Sequence, residues 1–171
     1  DLEPGKFPNF DFVRALKKSL SNDDGTIFKY AKHENSILNA IYVQLSESKE
    51  NDREVLKDFI RSITTSNKSV AESWIGERKM VDMCELVVRY FYHPYMKGSN
   101  SIKSVLPCIL KISSYLKNKY RNCLREVNVS SLNFSADHIW LPNMGIDPYS
   151  LLPDIDFSAL SNYVSNMESI K

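Results

Sequence analysis

A chain of 171 residues with 43% hydrophobic and 25% charged side chains has apolar material for one domain with a sizeable core and little for a second. Its 22 basic and 21 acidic residues leave a formal charge of +1, so any attraction to nucleic acid or an anionic membrane must come from a local patch. Cys84, Cys108 and Cys123 are far apart and in no CxxC spacing, which argues against a disulfide framework or a zinc site and for a reducing cytoplasm. No run approaches the roughly 18 apolar residues of a membrane span, and no membrane partner is expected.

Residues 1–8 carry Pro and Gly without a period and read as a linker or cut point, with the fold expected to begin upstream. Asn9 is a competent cap for a helix whose Phe12, Leu16 and Leu20 form a stripe, with Asp11 in the first turn and Lys17 and Lys18 in the last. After the turn at residues 21–25, residues 26–31 (TIFKYA) are β-branched and aromatic and predict a strand. The polar corner at residues 32–36 follows, and then Ile37, Leu38, Ile41, Tyr42 and Leu45 mark an amphipathic helix. In open α/β sheets ligands bind at such corners, beyond the carboxyl end of the strand. His33 and Glu34 are therefore candidate functional residues, although Glu34 can equally complement the helix start and His33 can be a solvated loop residue.

Residues 52–64 predict a further helix with Val55, Phe59, Ile60 and Ile63 on one face and a solvated charged face opposite. Trp74 to Arg78 reads as a turn or a short strand ending near Val81, with Arg78 and Lys79 as candidate phosphate contacts. Asp82 caps, or stands just ahead of, a helix that aligns Met83, Leu86, Val87 and Tyr90 and that His93-Pro94 stops. Gly98 permits a positive φ in the next turn, and Ile102, Val105, Leu106 and Ile109 start a new apolar set. Pro107 implies either a helix with Pro107 in its first turns or two short helices meeting there. Residues 113–120 form another short helix, where Lys117, Lys119 and Arg121 with Tyr115 and Tyr120 suit either single-stranded nucleic acid or a solvated face. From Arg125 onward the chain is irregular, with Trp140 and Tyr149 as anchors. Asp154 and Asp156 read as a helix start more readily than as paired catalytic carboxylates.

YFYHPYMKGSNSIKSVLP, preceded by MVDMCELV and farther back by IFKYAKHENSIL, resembles a bacterial family of uncharacterised proteins with a DnaQ-like exonuclease domain, in the DEDD branch of the ribonuclease-H-like superfamily. The resemblance covers residues 9–120, with 121–171 an irregular extension, and implies a helix-rich, partial α/β fold with few strands. The family features fall on Tyr30 and Glu34, on Asp82, and on residues 98–107, where Ser101 and Lys103 would support the site. The implied chemistry is 3'-to-5' cleavage of nucleic acid, with four carboxylates holding two Mg²⁺ or Mn²⁺ ions. Glu34 would be the catalytic and metal-binding residue, with His33 and Asp82 supporting it. The first motif, Asp-x-Glu on an early strand, and the last, an acidic residue on a late helix, have no counterpart in this sequence. The resemblance therefore implies a partial domain, inactive alone, whose partners are nucleic acid and the remaining part of the parent chain. A non-catalytic nucleic-acid or protein interaction module on the same scaffold is the alternative.

Overall fold

The computed structural model describes residues 7–131, 134–142 and 147–152; Asp154 and Asp156 lie outside them. The chain is a helix-rich α/β protein with a small parallel sheet. In order it forms α1 (Asn9–Leu20), β1 (Phe28–Lys29), α2 (His33–Glu47), α3 (Arg53–Ile63), β2 (Val81–Asp82), α4 (Met83–Tyr90), α5 (Ile102–Ile112) and α6 (Ser114–Tyr120), with single 3-10 turns at Pro94–Met96 and Pro148–Leu151. It divides into two compact units, one built from residues up to Pro94 with Asn100–Ile102, the other from Tyr95–Ser99 and from Lys103 onward.

In the first unit α1, α2 and α3 enclose the core. Val13, Leu38, Ile41, Tyr42, Leu45, Leu56, Ile60 and Ile63 are buried together, flanked by Phe10, Leu16, Leu20, Ile27 and Trp74. The apolar period located each helix and most of its buried face, with Leu38, Ile41, Tyr42, Leu45, Ile60 and Ile63 buried as the spacing predicts, while packing shifted the edges of those faces. Val13 is sealed in the core and Phe12 stays half-exposed on α1; Leu56 replaces Val55 on α3; Ile37 remains outside on α2. Asn9 is the first residue of α1 and not its cap: Pro8 precedes the helix, and the Asn9 amide donates to Gln44 Oε1 at 2.8 Å. Arg14 ties α1 to the corner between α2 and α3 through a two-point contact with Asp52 at 2.8 and 2.7 Å, with Asp11 and Glu50 on the same guanidinium. That guanidinium is raised above its ordinary pKa, chiefly by its hydrogen bonds to Asp52 and Glu50.

The strand expected at residues 26–31 shrinks to Phe28–Lys29, because among the described residues its one ladder partner is the equally short β2, in parallel register Phe28 to Val81 and Lys29 to Asp82. Val81 N–H donates to Ile27 O at 2.8 Å. Residues 76–80 reach β2 by running along the end of α3, where the N–H groups of Gly76, Arg78 and Met80 donate to the carbonyls of Thr64, Ser62 and Ile63 at 2.8, 2.9 and 3.0 Å. These bonds satisfy the carbonyls that a helix C-terminus leaves open. Arg78, a candidate phosphate contact by sequence, is committed elsewhere: its guanidinium donates to Leu20 O at 2.6 Å and Gly25 O at 2.8 Å, closing the end of α1.

α5, which belongs to the second unit from Lys103 onward, is one helix that continues through Pro107, settling the choice between one helix and two. Val105, Cys108 and Leu110 are its buried residues, and Ile102 is 42% exposed. Gly98 has φ 74°, as its turn required, and Lys97 beside it has φ 52°. Ser113 caps α6 by accepting from Leu116 N–H at 3.2 Å. All three cysteines are free thiols. Among the described residues no helix is long and apolar enough to cross a membrane.

Candidate functional site

The carboxyl ends of β1 and β2 lie side by side, and each strand runs almost at once into a helix, α2 after β1 and α4 after β2. Asp82 joins the two. It is the N-cap of α4, its Oδ1 accepting from Cys84 N–H at 2.9 Å, and the same oxygen accepts from Ala31 N–H at 3.0 Å. Its other oxygen meets Lys29 Nζ, which also donates to Ala31 O at 2.6 Å. The ion pair is mostly shielded, with side chains 12% and 15% exposed. Burial pushes the Asp82 carboxyl up, but the Lys29 hydrogen bond, the Ala31 and Cys84 N–H groups and the Lys29 charge outweigh it, and the net position is below the ordinary carboxylate range.

This bracket holds Ala31 at φ 65°, a left-handed conformation that lets the chain turn from β1 into α2. An alanine there is strained by its Cβ, so Ala31→Gly should stabilise the chain by about 0.5–1 kcal/mol. The check is a urea titration showing a higher midpoint with an unchanged slope. Beyond the corner, α2 is latched to the loop after α3: Asn35 donates to Thr65 O at 2.9 Å and accepts from Thr65 N–H at 3.0 Å, and the fully buried Asn39 accepts from Asn67 N–H at 3.1 Å. These amides act in place of a strand pairing, and nothing in their spacing announces it.

His33 and Glu34 are not loop residues but open α2, in its first turn after Lys32. Both are exposed, and among the described residues their side chains make no hydrogen bond or ion pair. Tyr30 O–H donates to Asn100 O at 2.5 Å, and Cys84 Sγ approaches the same carbonyl at 3.9 Å. Tyr30, Asp82 and the segment containing Asn100, 70 residues apart at the extremes, thus meet at one edge of the sheet. Ser101 lies just before α5 and Lys103 in its first turn; both are exposed, and Lys103 belongs to the second unit.

A cleft of about 460 Å³ opens at this edge. Four basic residues, Lys29, Lys32, Lys79 and Arg89, line it against two acidic ones, Asp82 and Glu85. Lys29 and Asp82 neutralise each other, and Arg89 sits 3.9 Å from Glu85 in an exposed, weak pair. Lys32 and Lys79 are exposed and have no carboxylate partner among the described residues, so the cleft carries a positive excess. Tyr90, 77% exposed, forms part of its wall, together with Leu86. The face that Met83, Leu86 and Tyr90 share on α4 is mostly open, and Val87 is the one buried residue of the helix. Among the described residues no group of three or more His, Cys, Asp or Glu side chains is placed to hold a metal ion.

A family described as Domain of unknown function (DUF2779) matches residues 2–101, which include both strands, α1 to α4 and every residue of the cleft. No curated protein and no solved structure matches the chain.

Proposed function

We propose, from the premise that this chain belongs to the DUF2779 family, that it is the backbone-gripping part of an exonuclease-like, ribonuclease-H-like domain, acting on nucleic acid in a reducing cytoplasm. The observation that carries the reading is the cleft at the carboxyl edge of a parallel strand pair, with Lys32 and Lys79 lacking a carboxylate partner among the described residues and Tyr90 lining the same cleft. Uncommitted lysines next to helix starts attract phosphates without reading sequence.

In the intact parent a metal-dependent cleavage would be supplied by Mg²⁺ or Mn²⁺, with Glu34 as this chain's contribution. The described residues do not fit a two-metal centre on their own. Hard divalent ions need several oxygen ligands, no acidic group of the required size converges, and the Asp82 carboxylate is already filled by Lys29, Ala31 and Cys84. No cleavage step follows from this chain alone, and its expected behaviour is binding without cutting. The commitment of Asp82 to Lys29, Ala31 and Cys84 equally favours a non-catalytic nucleic-acid module as the second reading.

Fluorescence anisotropy with a labelled single-stranded oligonucleotide tests the cleft. Affinity should fall steeply with salt, and Lys32→Glu with Lys79→Glu should weaken binding by about tenfold or more at low salt. Binding that is indifferent to both substitutions would remove the cleft from the proposal. In the parent, loss of Mn²⁺-dependent degradation in Glu34→Gln supports the exonuclease reading; an active parent indifferent to that substitution removes Glu34 from the site, and a parent without degradation leaves the binding module.

A further inference from the structure

The second unit carries its own concavity. Tyr120, Leu124, Phe134, His138 and Trp140 line a pocket of about 300 Å³, and an adjoining pocket of about 400 Å³ includes Arg125. Val129, Ser130, Ser131 and Phe134 line both, so the two are one groove with an aromatic end and a basic end. Its volume lies within the roughly 300–1,000 Å³ of small-molecule sites.

The groove is built on backbone bonds. Cys123 bridges Ile139, Leu124 N–H donates to His138 O and Arg125 N–H to Ala136 O, each at 3.0 Å, and Leu141 N–H reaches Tyr120 O at 3.1 Å. Asn128 at φ 57° turns the chain so that Val129 N–H returns to Leu124 O at 2.9 Å. On this frame Tyr120 and Trp140 meet edge to face at 5.2 Å, and Phe134 and His138 stack at 4.3 Å.

Charge decides the occupant. An aromatic lining alone suits either an organic cation or a flat ring. Among the described residues no carboxylate lines either pocket, and a basic side chain stands at each end: Arg125 at one, and Lys119 Nζ 5.5 Å from the Tyr120 ring centre at the other. Arg125 pairs with Asp137 at 2.9 Å, but their side chains are 66% and 71% exposed, so the pair is weak and the guanidinium fork keeps donors for an anion. A flat ring carrying an anionic group satisfies both ends, and a cation satisfies one.

We propose that this groove is a nucleotide subsite, with the base against the aromatic end and the phosphate at Arg125. The site is independent of the cleft in the first unit. Isothermal titration of the purified chain tests it with adenosine 5'-monophosphate, adenosine, inorganic phosphate, choline and a dinucleotide as probes. The expected result is saturable binding of the monophosphate about tenfold tighter than adenosine or phosphate. Arg125→Ala should bring the monophosphate down to the level of adenosine, and Trp140→Leu should abolish both. Arg125 is exposed, so its variant carries the test even if Trp140→Leu fails to fold. A dinucleotide that binds tighter than the monophosphate assigns the groove to a strand, and the reverse to a free nucleotide. No saturable binding, choline bound in preference to the monophosphate, or an Arg125→Ala variant without effect would each overturn the proposal.

Discussion

Replacing Asp82 by alanine should destabilise the first unit by about 3–5 kcal/mol, the cost of leaving one member of a shielded ion pair uncompensated. Lys29, 12% exposed, would lose its counter-charge, Cys84 N–H its cap, and Ala31 N–H the Asp82 oxygen to which it donates. A cap by itself is worth about 1 kcal/mol, so the larger figure expresses the pair and the strained corner together. Asp82→Asn keeps an oxygen for Cys84 and Ala31 while removing the charge, and should fall between the alanine variant and the native chain. Chemical unfolding of both variants checks the order. A loss near 1 kcal/mol in Asp82→Ala would mean that the cap alone matters.

The same residue gives a pH signature. A carboxyl whose folded pKa is depressed adds stability that is present above its unfolded pKa, about 3.9, and is lost as pH falls through the lower folded value. Asp82 is of this kind. The stability difference between the native chain and Asp82→Asn should therefore be full at neutral pH and shrink as the pH drops below about 4. Asp52 is depressed too, mainly by its hydrogen bond to Arg14, but it is common to both proteins and cancels in the difference. Thermal unfolding from pH 7 to pH 3 measures it.

What the sequence reveals follows the range of each interaction. Helices α1 to α4 were legible because their period is local, and Asp82 as a cap was legible because its partner, Cys84, is two residues away. The choice between Phe12 and Val13, or Val55 and Leu56, was not, since adjacent positions differ by about 100° on a helix and only the packed neighbours select one. The pairing of β1 with β2 joins residues 53 apart, Lys29 with Asp82, and no pattern in either segment encodes it. Arg78 shows the same limit: its basic side chain suggested phosphate, yet its donors end α1, 58 residues back, at Leu20 O. The candidate site was half-legible. The sequence singled out Asp82 and Lys79, whereas Lys32 and the wall formed by Tyr90 emerge as a cleft only once β2 lies beside β1; Glu34, also singled out, does not line that cleft.

Gly76→Ala should be the most damaging small substitution in the first unit. A Cβ at Gly76 would lie 2.3 Å from Ser62 O and 2.4 Å from Arg61 O, both backbone atoms at the end of α3, so no side chain can swing away. Relief requires the 76–80 segment to lift from the helix, and that segment carries three hydrogen bonds, Gly76 to Thr64, Arg78 to Ser62 and Met80 to Ile63. Lifting it also shifts β2 and the register that sets Asp82 beside Lys29. Overpacking alone costs about 1–3 kcal/mol, and with backbone as the obstacle the expected loss is at the top of that range or beyond, a fall of about 10 °C in unfolding temperature. Gly25→Ala is the control: its Cβ would meet the Asp23 side chain at 2.8 Å, a flexible and exposed group that can move. That variant should stay within about 0.5 kcal/mol of the native chain. Equal unfolding temperatures for the two variants would show that residues 76–80 do not press on α3 as tightly as this geometry requires.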